Sequence, residues 1–434
     1  MGDRAEVILY TTIGEVIRKL REKANLTLTQ LSHLSGISKA AISKIENGET
    51  KRPEIRTIKP IAKILEIPYE QVIESYIEVE QRIDVLHELL LNAIEMSNKR
   101  LLSKIALRFL QSPHEDSYTL AERLYQFTNG VADPELRITL YDIIIKYARE
   151  HGMQRFLAQG LLQKYLIERL DLKKLEESFR IGEEILYYTD FLPPEERVVF
   201  YFKMGLQAFA IKKYEKCIDL CKAGLKVSAA ASNELCARAH LAMINSLLML
   251  GRYDEVERHL QVYETYRFAF VAESVKLTRA IVKAKKQEYD VAIPMLQQCL
   301  ADISEQARIH VVNELLEIYL KIGDLESCAS LIETEDHVVN INLQTPYQHA
   351  SLGTYYRYKG AYLFRAGKLE EGMKSYQSSL LAFGEISAYQ EITECMNDIF
   401  SFYSNIGKSI DINSVQQLTE VYNKLIEKKV KKGR

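Results

Sequence analysis

One short pattern recurs along most of this 434-residue chain. An amphipathic stretch ends, an aromatic residue or leucine follows, an acid comes next, and another amphipathic stretch begins. The pattern reads Lys174-Leu175-Glu176, Lys213-Tyr214-Glu215, Arg252-Tyr253-Asp254, Glu288-Tyr289-Asp290, Asp324-Leu325-Glu326 and Lys368-Leu369-Glu370. Successive apolar turn residues lie 39, 39, 36, 36 and 44 positions apart. Periods of this length mark stacked helix pairs, because one pair cannot bury its apolar face alone. Glycine (19) and proline (9) are scarce, and helices penalise both. The chain is therefore expected to be all-α.

The periods resemble tetratricopeptide repeats. That resemblance implies a right-handed α-superhelix whose concave face is lined by the first helix of each pair. Small residues follow the repeat in part. Gly205 and Gly360 fall nine positions before a turn residue, and Cys217, Ala292, Cys328 and Gly372 fall three after one. Ala280 also fits, while Ile244 and Leu316 do not. Segments 80–112, 117–130 and 133–150 read as further helices in weaker register. Residues 388–428 read as a cap, followed by a basic tail, Lys428 to Arg434, taken as solubilising.

The first 65 residues differ in kind. Between Val16 and Lys63 there are eleven basic and four acidic residues, a net of +7 in a chain whose total is −2. A basic end on an acidic body suggests a module for polyanions. Ile13, Val16, Ile17 and Leu20 recur at helical spacing, predicting a helix over 13–24. Thr27 is placed to cap a second helix carrying Leu28, Leu31 and Leu34. Gly36 supplies a turn, and Ser38 caps a third helix from Lys39 to Glu46 that stops at Asn47-Gly48. Two short helices around a glycine turn predict a helix-turn-helix, whose second helix enters the DNA major groove.

The run from Thr27 to Gly48 resembles the Xre/Cro repressors through Thr27, Leu31, Gly36-Ile37-Ser38, Ile42, Ser43 and Ile45-Glu46-Asn47-Gly48. It departs from that family in two places. Leu28 stands where the family often has a phosphate-binding glutamine, and Pro60 interrupts the fourth helix, predicting a kink or a late start. With Ile42 and Ile45 facing the core, Lys39, Ala40, Ser43 and Lys44 are expected to face the groove. The lysines can reach guanine edges or phosphates, Ser43 can bond either, and Ala40 can touch a thymine methyl. Thr27, Asn47 and Arg52 are expected to hold phosphates.

Catalytic signatures are missing. There is no H-E-x-x-H, phosphate-cradling G-x-x-x-x-G-K or G-x-S-x-G run, and the nine histidines show no ligand spacing. The six cysteines, Cys217, Cys221, Cys236, Cys299, Cys328 and Cys395, contain no C-x-x-C pair and read as buried core thiols. No apolar run reaches the length of a membrane span. A cytosolic protein without cofactor, metal or catalytic activity is expected.

An Xre-type module, a linker helix and a degenerate repeat array together resemble the RRNPP regulators of Gram-positive bacteria, the group of Rap, Rgg, NprR, PlcR and PrgX, and also arbitrium-type phage receptors. The corresponding boundaries are 1–73 for the DNA-binding domain, 74–97 for the linker helix and 98–434 for the repeat domain. The resemblance implies a homodimeric transcription factor that binds an inverted-repeat operator in double-stranded DNA and takes a short signalling peptide in its repeats. A Rap-like adaptor, acting by sequestration or phosphatase stimulation with the N-terminal bundle as interaction surface, is the alternative. An apolar stripe of Val72, Ile73, Tyr76, Ile77, Ile83, Leu86, Leu89, Leu90 and Ile94 lies on the linker, suited either to packing on the first repeats or to dimerisation.

Counting back from each turn residue places groove-facing positions on the preceding helix. They are Gln163 and Lys164, Lys203, Arg238 and Asn245, then His310, Asn313, Glu314 and Glu317, then Thr354, Arg357 and Tyr358. Asparagine offers a donor and an acceptor matched to a peptide backbone, so Asn245 and Asn313 are the expected clamps, with Asn397 as a third. Arg238 and Arg357 are expected to pair with a peptide carboxylate, and Phe209 and Phe364 to receive apolar side chains.

Overall fold

A computed structural model describes residues 13–50, 53–77, 82–227, 233–334, 339 and 343–430. Among these the protein is built of α-helices with two 3-10 turns and no strand. The chain divides into two compact units, Met1–Ile167 and Glu168–Arg434.

The first unit begins with α1 (Ile13–Lys23), α2 (Leu28–Ser35), α3 (Lys39–Glu46), α4 (Ile55–Ile64) and α5 (Tyr69–Ile77). Val16, Ile17, Leu31, Ile42, Ile45, Ile58 and Ile61 form its core. Helix α1 crosses α3 with backbone in contact: a Cβ on Gly14 would collide with the Ile45 carbonyl, so only glycine fits there. Helix α4 starts at Ile55, before Pro60, so proline does not delay it.

The expected single linker helix is two helices. Helix α5 ends at Ile77, and a new helix, Ile83–Glu95, begins after Arg82 in extended conformation. The apolar stripe points inward. Val72, Ile73, Ile77, Ile83, Leu86, Leu89 and Leu90 are buried within this unit, where α5 and Ile83–Glu95 both pack on Lys99–Leu110. The intersubunit role considered for Leu86 and Leu90 is thus unavailable, since both side chains are fully covered by their own chain. Helices Ser117–Asn129 and Pro134–Glu150, each capped by an aspartate (Asp116, Asp133), continue the unit.

The second unit is a stack of helix pairs. The six turn residues read from the sequence each open a helix: Leu175–Ile185, Tyr214–Val227, Tyr253–Tyr263, Tyr289–Asp302, Leu325–Glu333 and Leu369–Gly384. The helices before the last five are Pro194–Ala210, Glu234–Met249, Ala269–Lys285, Glu305–Ile322 and Pro346–Arg365, forming five pairs. Each first helix packs on its own partner and on a helix of the next pair. Two positions before each of these five turn residues the backbone turns left-handed, at Lys212, Gly251, Gln287, Gly323 and Gly367. That conformation ends the first helix and starts the second without a long loop.

Small residues permit the close approach. A Cβ on Gly360 would lie 2.7 Å from the Tyr376 ring, and Cys217, Ala292 and Cys328 have no exposed surface. All six cysteines are free and buried. Helices Tyr389–Asn405 and Ile412–Val430 cap the stack, with Ile399, Tyr403, Leu418 and Val421 closing the core around Phe364, Tyr376 and Phe383. Among the described residues no helix is long and apolar enough to cross a membrane.

Candidate DNA interface and ligand groove

The recognition segment is well ordered by local chemistry. The Thr27 hydroxyl accepts the Gln30 N–H (3.2 Å) while Gln30 Oε1 accepts the Thr27 N–H (2.8 Å), a reciprocal cap on α2. Gly36 turns the chain at φ +71°, and Ser38 Oγ accepts the Ala41 N–H (3.3 Å) at the start of α3. Ile42 and Ile45 are buried, leaving Lys39, Ala40 and Lys44 exposed and Ser43 half-buried. Neither lysine has an ion-pair partner among the described residues. Exposed Asn47 donates to Ser43 Oγ at 3.4 Å. Arg52 lies outside the described residues.

Sequence reading missed what anchors this helix. Arg21 of α1 donates through Nε and Nη2 to both carboxylate oxygens of Glu46 (2.7 and 2.8 Å) and through Nη1 to the Leu26 carbonyl (2.8 Å). The Glu46 side chain is only 4% exposed. The hydrogen bonds to Glu46 outweigh burial and raise the Arg21 pKa above the ordinary arginine value. A signal existed: Glu46 ends a helix, where the macrodipole disfavours an acid, so a cation had to be near.

The second unit curls until distant helices meet. The Phe209 ring lies 5.8 Å from that of Tyr347, which lies 4.6 Å from His310. Lys212 pairs with Glu391, Lys173 with Glu385 (3.7 Å), and Ser387 Oγ donates to the Lys173 carbonyl (3.2 Å). The inner helices therefore border an enclosed groove. His310 Nδ1 sits 3.0 Å from Ser351 Oγ, and burial pushes its pKa down to about 4. Farther along, helices Glu305–Ile322, Pro346–Arg365 and Tyr389–Asn405 line a cavity of about 460 Å³ that includes Glu317, Arg357, Tyr358, Phe364 and Asp398.

The proposed contact residues fall into two groups. Asn245 and Lys203 are half-buried and bond to nothing among the described residues. Arg238 is exposed, pairs with Glu234 (2.7 Å) and lies 4.7 Å over the Phe270 ring. Phe209 and Thr354 are half-buried, and Asn397 is exposed. Other positions are already engaged. Arg357 binds both oxygens of Asp398 (2.6 and 3.2 Å) and Glu394 (2.6 Å), so its guanidinium is neutralised within the chain rather than open to a peptide carboxylate. Burial opposes that charge, but the two carboxylates outweigh it and hold Arg357 above the usual arginine range.

Glu317 accepts from Lys285 (3.0 Å) and Lys321 (2.5 Å). Burial raises the Glu314 pKa beside Lys285, and burial also pushes up Tyr358, which faces both glutamates. Phe364 is 2% exposed in a ring cluster with Tyr376, Phe402 and Tyr403, so most of its ring belongs to the core and only a small part borders the cavity. Asn313, 8% exposed, donates through Nδ2 to the Ser351 carbonyl (2.8 Å), while Oδ1 has no partner. Its Oδ1 can accept a backbone N–H, and Nδ2 keeps a second N–H beyond the one given to Ser351. Gln163 and Lys164 belong to the first unit, where Lys164 pairs with Asp142 (2.7 Å). Among the described residues no three histidine, cysteine or acidic side chains gather as a metal site.

Residues 17–72 match the helix-turn-helix family. The HTH-type transcriptional repressor RghR of Bacillus subtilis (strain 168) is 39% identical over 98 residues, which are 22% of this chain and 73% of that protein. The chain belongs to the helix-turn-helix transcriptional regulators. RghRB, an uncharacterised regulator of the same organism, is 48% identical over 62 residues, 14% of this regulator and 45% of that protein. Among solved structures, SeMet-phAimR aligns over 94% of this regulator and all of that chain at 14% identity and a TM-score of 0.39. PlcR of Bacillus thuringiensis, in complex with the peptide PapR7 and DNA, aligns over 65% of this regulator and 99% of that chain, at 14% identity and a TM-score of 0.22. The matched repressor segment spans less than a quarter of the regulator, so the role of the repeat body rests on its own geometry.

Proposed function

We propose that this transcriptional regulator binds an inverted-repeat operator as a homodimer and that a short signalling peptide, held in the groove of the second unit, sets its operator affinity. It acts in the cytosol, without cofactor and without catalysis. The observation that supports this most is the pair of half-buried side chains Lys203 and Asn245 on successive inner helices, neither of which has a hydrogen-bond or ion-pair partner among the described residues. A half-buried amide with no partner is a cost to the fold that a ligand backbone would remove. The sequence resemblance to RRNPP regulators points the same way. Lys39, Ala40, Ser43 and Lys44 are the base-reading set, with Thr27, Asn47 and Arg52 on phosphates.

Selection from random duplex DNA by the full chain tests the first half. It should enrich a two-fold symmetric sequence with half-sites about one helical turn apart or a multiple of it. Even retention of all duplexes would contradict the reading.

A further inference from the structure

Stacked helix pairs ordinarily touch only their sequence neighbours, so the two ends of such a stack stay apart. In the second unit they meet. On one side stand Lys173, in the 3-10 turn Leu172–Lys174, and Phe209 and Lys212, at the end of Pro194–Ala210. On the other stand Tyr347, at the start of Pro346–Arg365, and Glu385, Ser387 and Glu391, around the start of Tyr389–Asn405. Ser387 Oγ donates to the Lys173 carbonyl at 3.2 Å across 214 residues of chain. Lys173 pairs with Glu385 at 3.7 Å, Lys212 pairs with Glu391, and the Phe209 and Tyr347 rings lie 5.8 Å apart.

This seam differs from every other joint of the unit. Neighbouring pairs hold each other by buried apolar faces, as Leu296, Leu316 and Tyr355 do within one cluster. Among the described residues no helix packs lengthwise on another across the seam, and side-chain tips make it. Its backbone is also built at a cost. Lys212 (φ +60°) and Ser387 (φ +52°) are left-handed, a conformation taken elsewhere in the unit by Gly251, Gly323, Gly367 and Gly407. Glycine adopts it without strain, and other residues do not. Gln287 is the third non-glycine residue of the unit in this state, and it borders a small cavity with Glu314 and Lys321. The other two, Lys212 and Ser387, each send a side chain across the seam, which is what glycine could not do.

We infer that the seam is a gate: the second unit is a ring closed at one place by polar side chains, and it opens there to admit the groove's ligand. Relative strength is the reason. Ion pairs with exposed or half-exposed members are weak and screened by salt, and one hydrogen bond and one ring contact add little to them. Parting two stacked pairs would instead bring buried apolar side chains into water. The seam is therefore the joint that opens first among local motions of the unit. What passes through the gate rests on the peptide reading above, whereas the opening itself does not.

Hydrogen–deuterium exchange of the full chain, read by mass spectrometry, tests the opening without any ligand. Glu391→Gln and Lys212→Gly remove the same pair from opposite sides, and Lys212→Gly also relieves its turn. In both variants exchange should quicken roughly threefold to tenfold on both sides, at 172–175 and at 385–392, the scale of one half-buried ion pair. Helices Glu234–Met249 and Glu305–Ile322 should keep their native rates. Raising salt to about 1 M, where the screening length falls to about 3 Å, should open the native seam and change the variants less. Quickening confined to the substituted side, or spread evenly through the stack, would overturn the gate. A peptide that the chain retains from a random hexapeptide library tests entry. Its association and dissociation should both be faster in Glu391→Gln by roughly the same factor, with affinity little changed. Native rates in that variant would mean that ligand enters elsewhere and would overturn the gate's role. Retention of no peptide would remove the peptide reading and leave the exchange result to decide the opening.

Discussion

The recognition helix and the inner helices of the repeat body both present lysine, arginine, asparagine and serine, yet they treat them differently. On α3 the exposed lysines Lys39 and Lys44 form no ion pair among the described residues, and order comes from behind, through Ile42, Ile45 and the Arg21–Glu46 pair. In the repeat body several candidate side chains are engaged by neighbours on adjacent inner helices, as Arg357 is by Asp398 and Glu317 by Lys285. A surface that reads a large external partner can leave its polar groups in water. A concave wall brings its own side chains together and satisfies them. Unengaged groups are therefore unremarkable on α3 and informative in the groove.

The strongest way to break this contrast is to remove the support behind α3. Glu46→Ala leaves Arg21 without its buried partner and should cost about 3 kcal/mol of stability, the low end for breaking a buried pair. Urea unfolding followed by circular dichroism would report it, and a loss below about 1 kcal/mol would mean that the pair does not position the helix. Next in size, Lys39→Ala should leave stability within about 0.5 kcal/mol of native. It should weaken a selected operator by roughly 1–3 kcal/mol per half-site, in fluorescence anisotropy, if it reads a base. Equal loss on random DNA would reassign Lys39 to phosphate.

Acid should act on the repeat body through buried imidazoles. His240 is 3% exposed and 3.3 Å from His259, and burial followed by the His259 charge lowers its pKa to about 4. The unfolded chain takes up this proton near pH 6.5, the folded chain only near 4. The neutral form's stabilisation is therefore complete above about pH 6.5 and is lost as pH falls toward 4, on the order of 3 kcal/mol in full. Denaturation midpoints at stepped pH should show the fall, and His240→Gln should flatten it. The smallest effect belongs to the turns. Gln287 holds φ +63°, where three sister positions carry glycine. Gln287→Gly should raise stability by up to about 1 kcal/mol, since the left-handed strain outweighs glycine's entropy. A lower melting temperature would show that the Gln287 side chain contributes more than the strain costs.

Periodicity made the architecture legible because turn chemistry is local: each apolar turn residue opens its helix where the pattern placed it. The helix-turn-helix was legible for the same reason, down to Thr27 and Ser38 as caps. What escaped depends on contacts between segments distant in sequence. The apolar stripe at Leu86 and Leu90 reads the same whether its own chain or a second one covers it. Asp398 lies 41 residues from Arg357, so nothing local announced that this arginine was taken.

Control of operator binding by the groove is the central proposal. The most direct measurement is operator affinity of the full chain, with and without a peptide that the chain retains from a random hexapeptide library, in native and Asn245→Ala proteins. Adding peptide should change operator affinity at least tenfold in the native chain and not in Asn245→Ala, whose peptide-free affinity should equal the native value. An operator affinity that saturating peptide leaves unchanged in the native chain would contradict it.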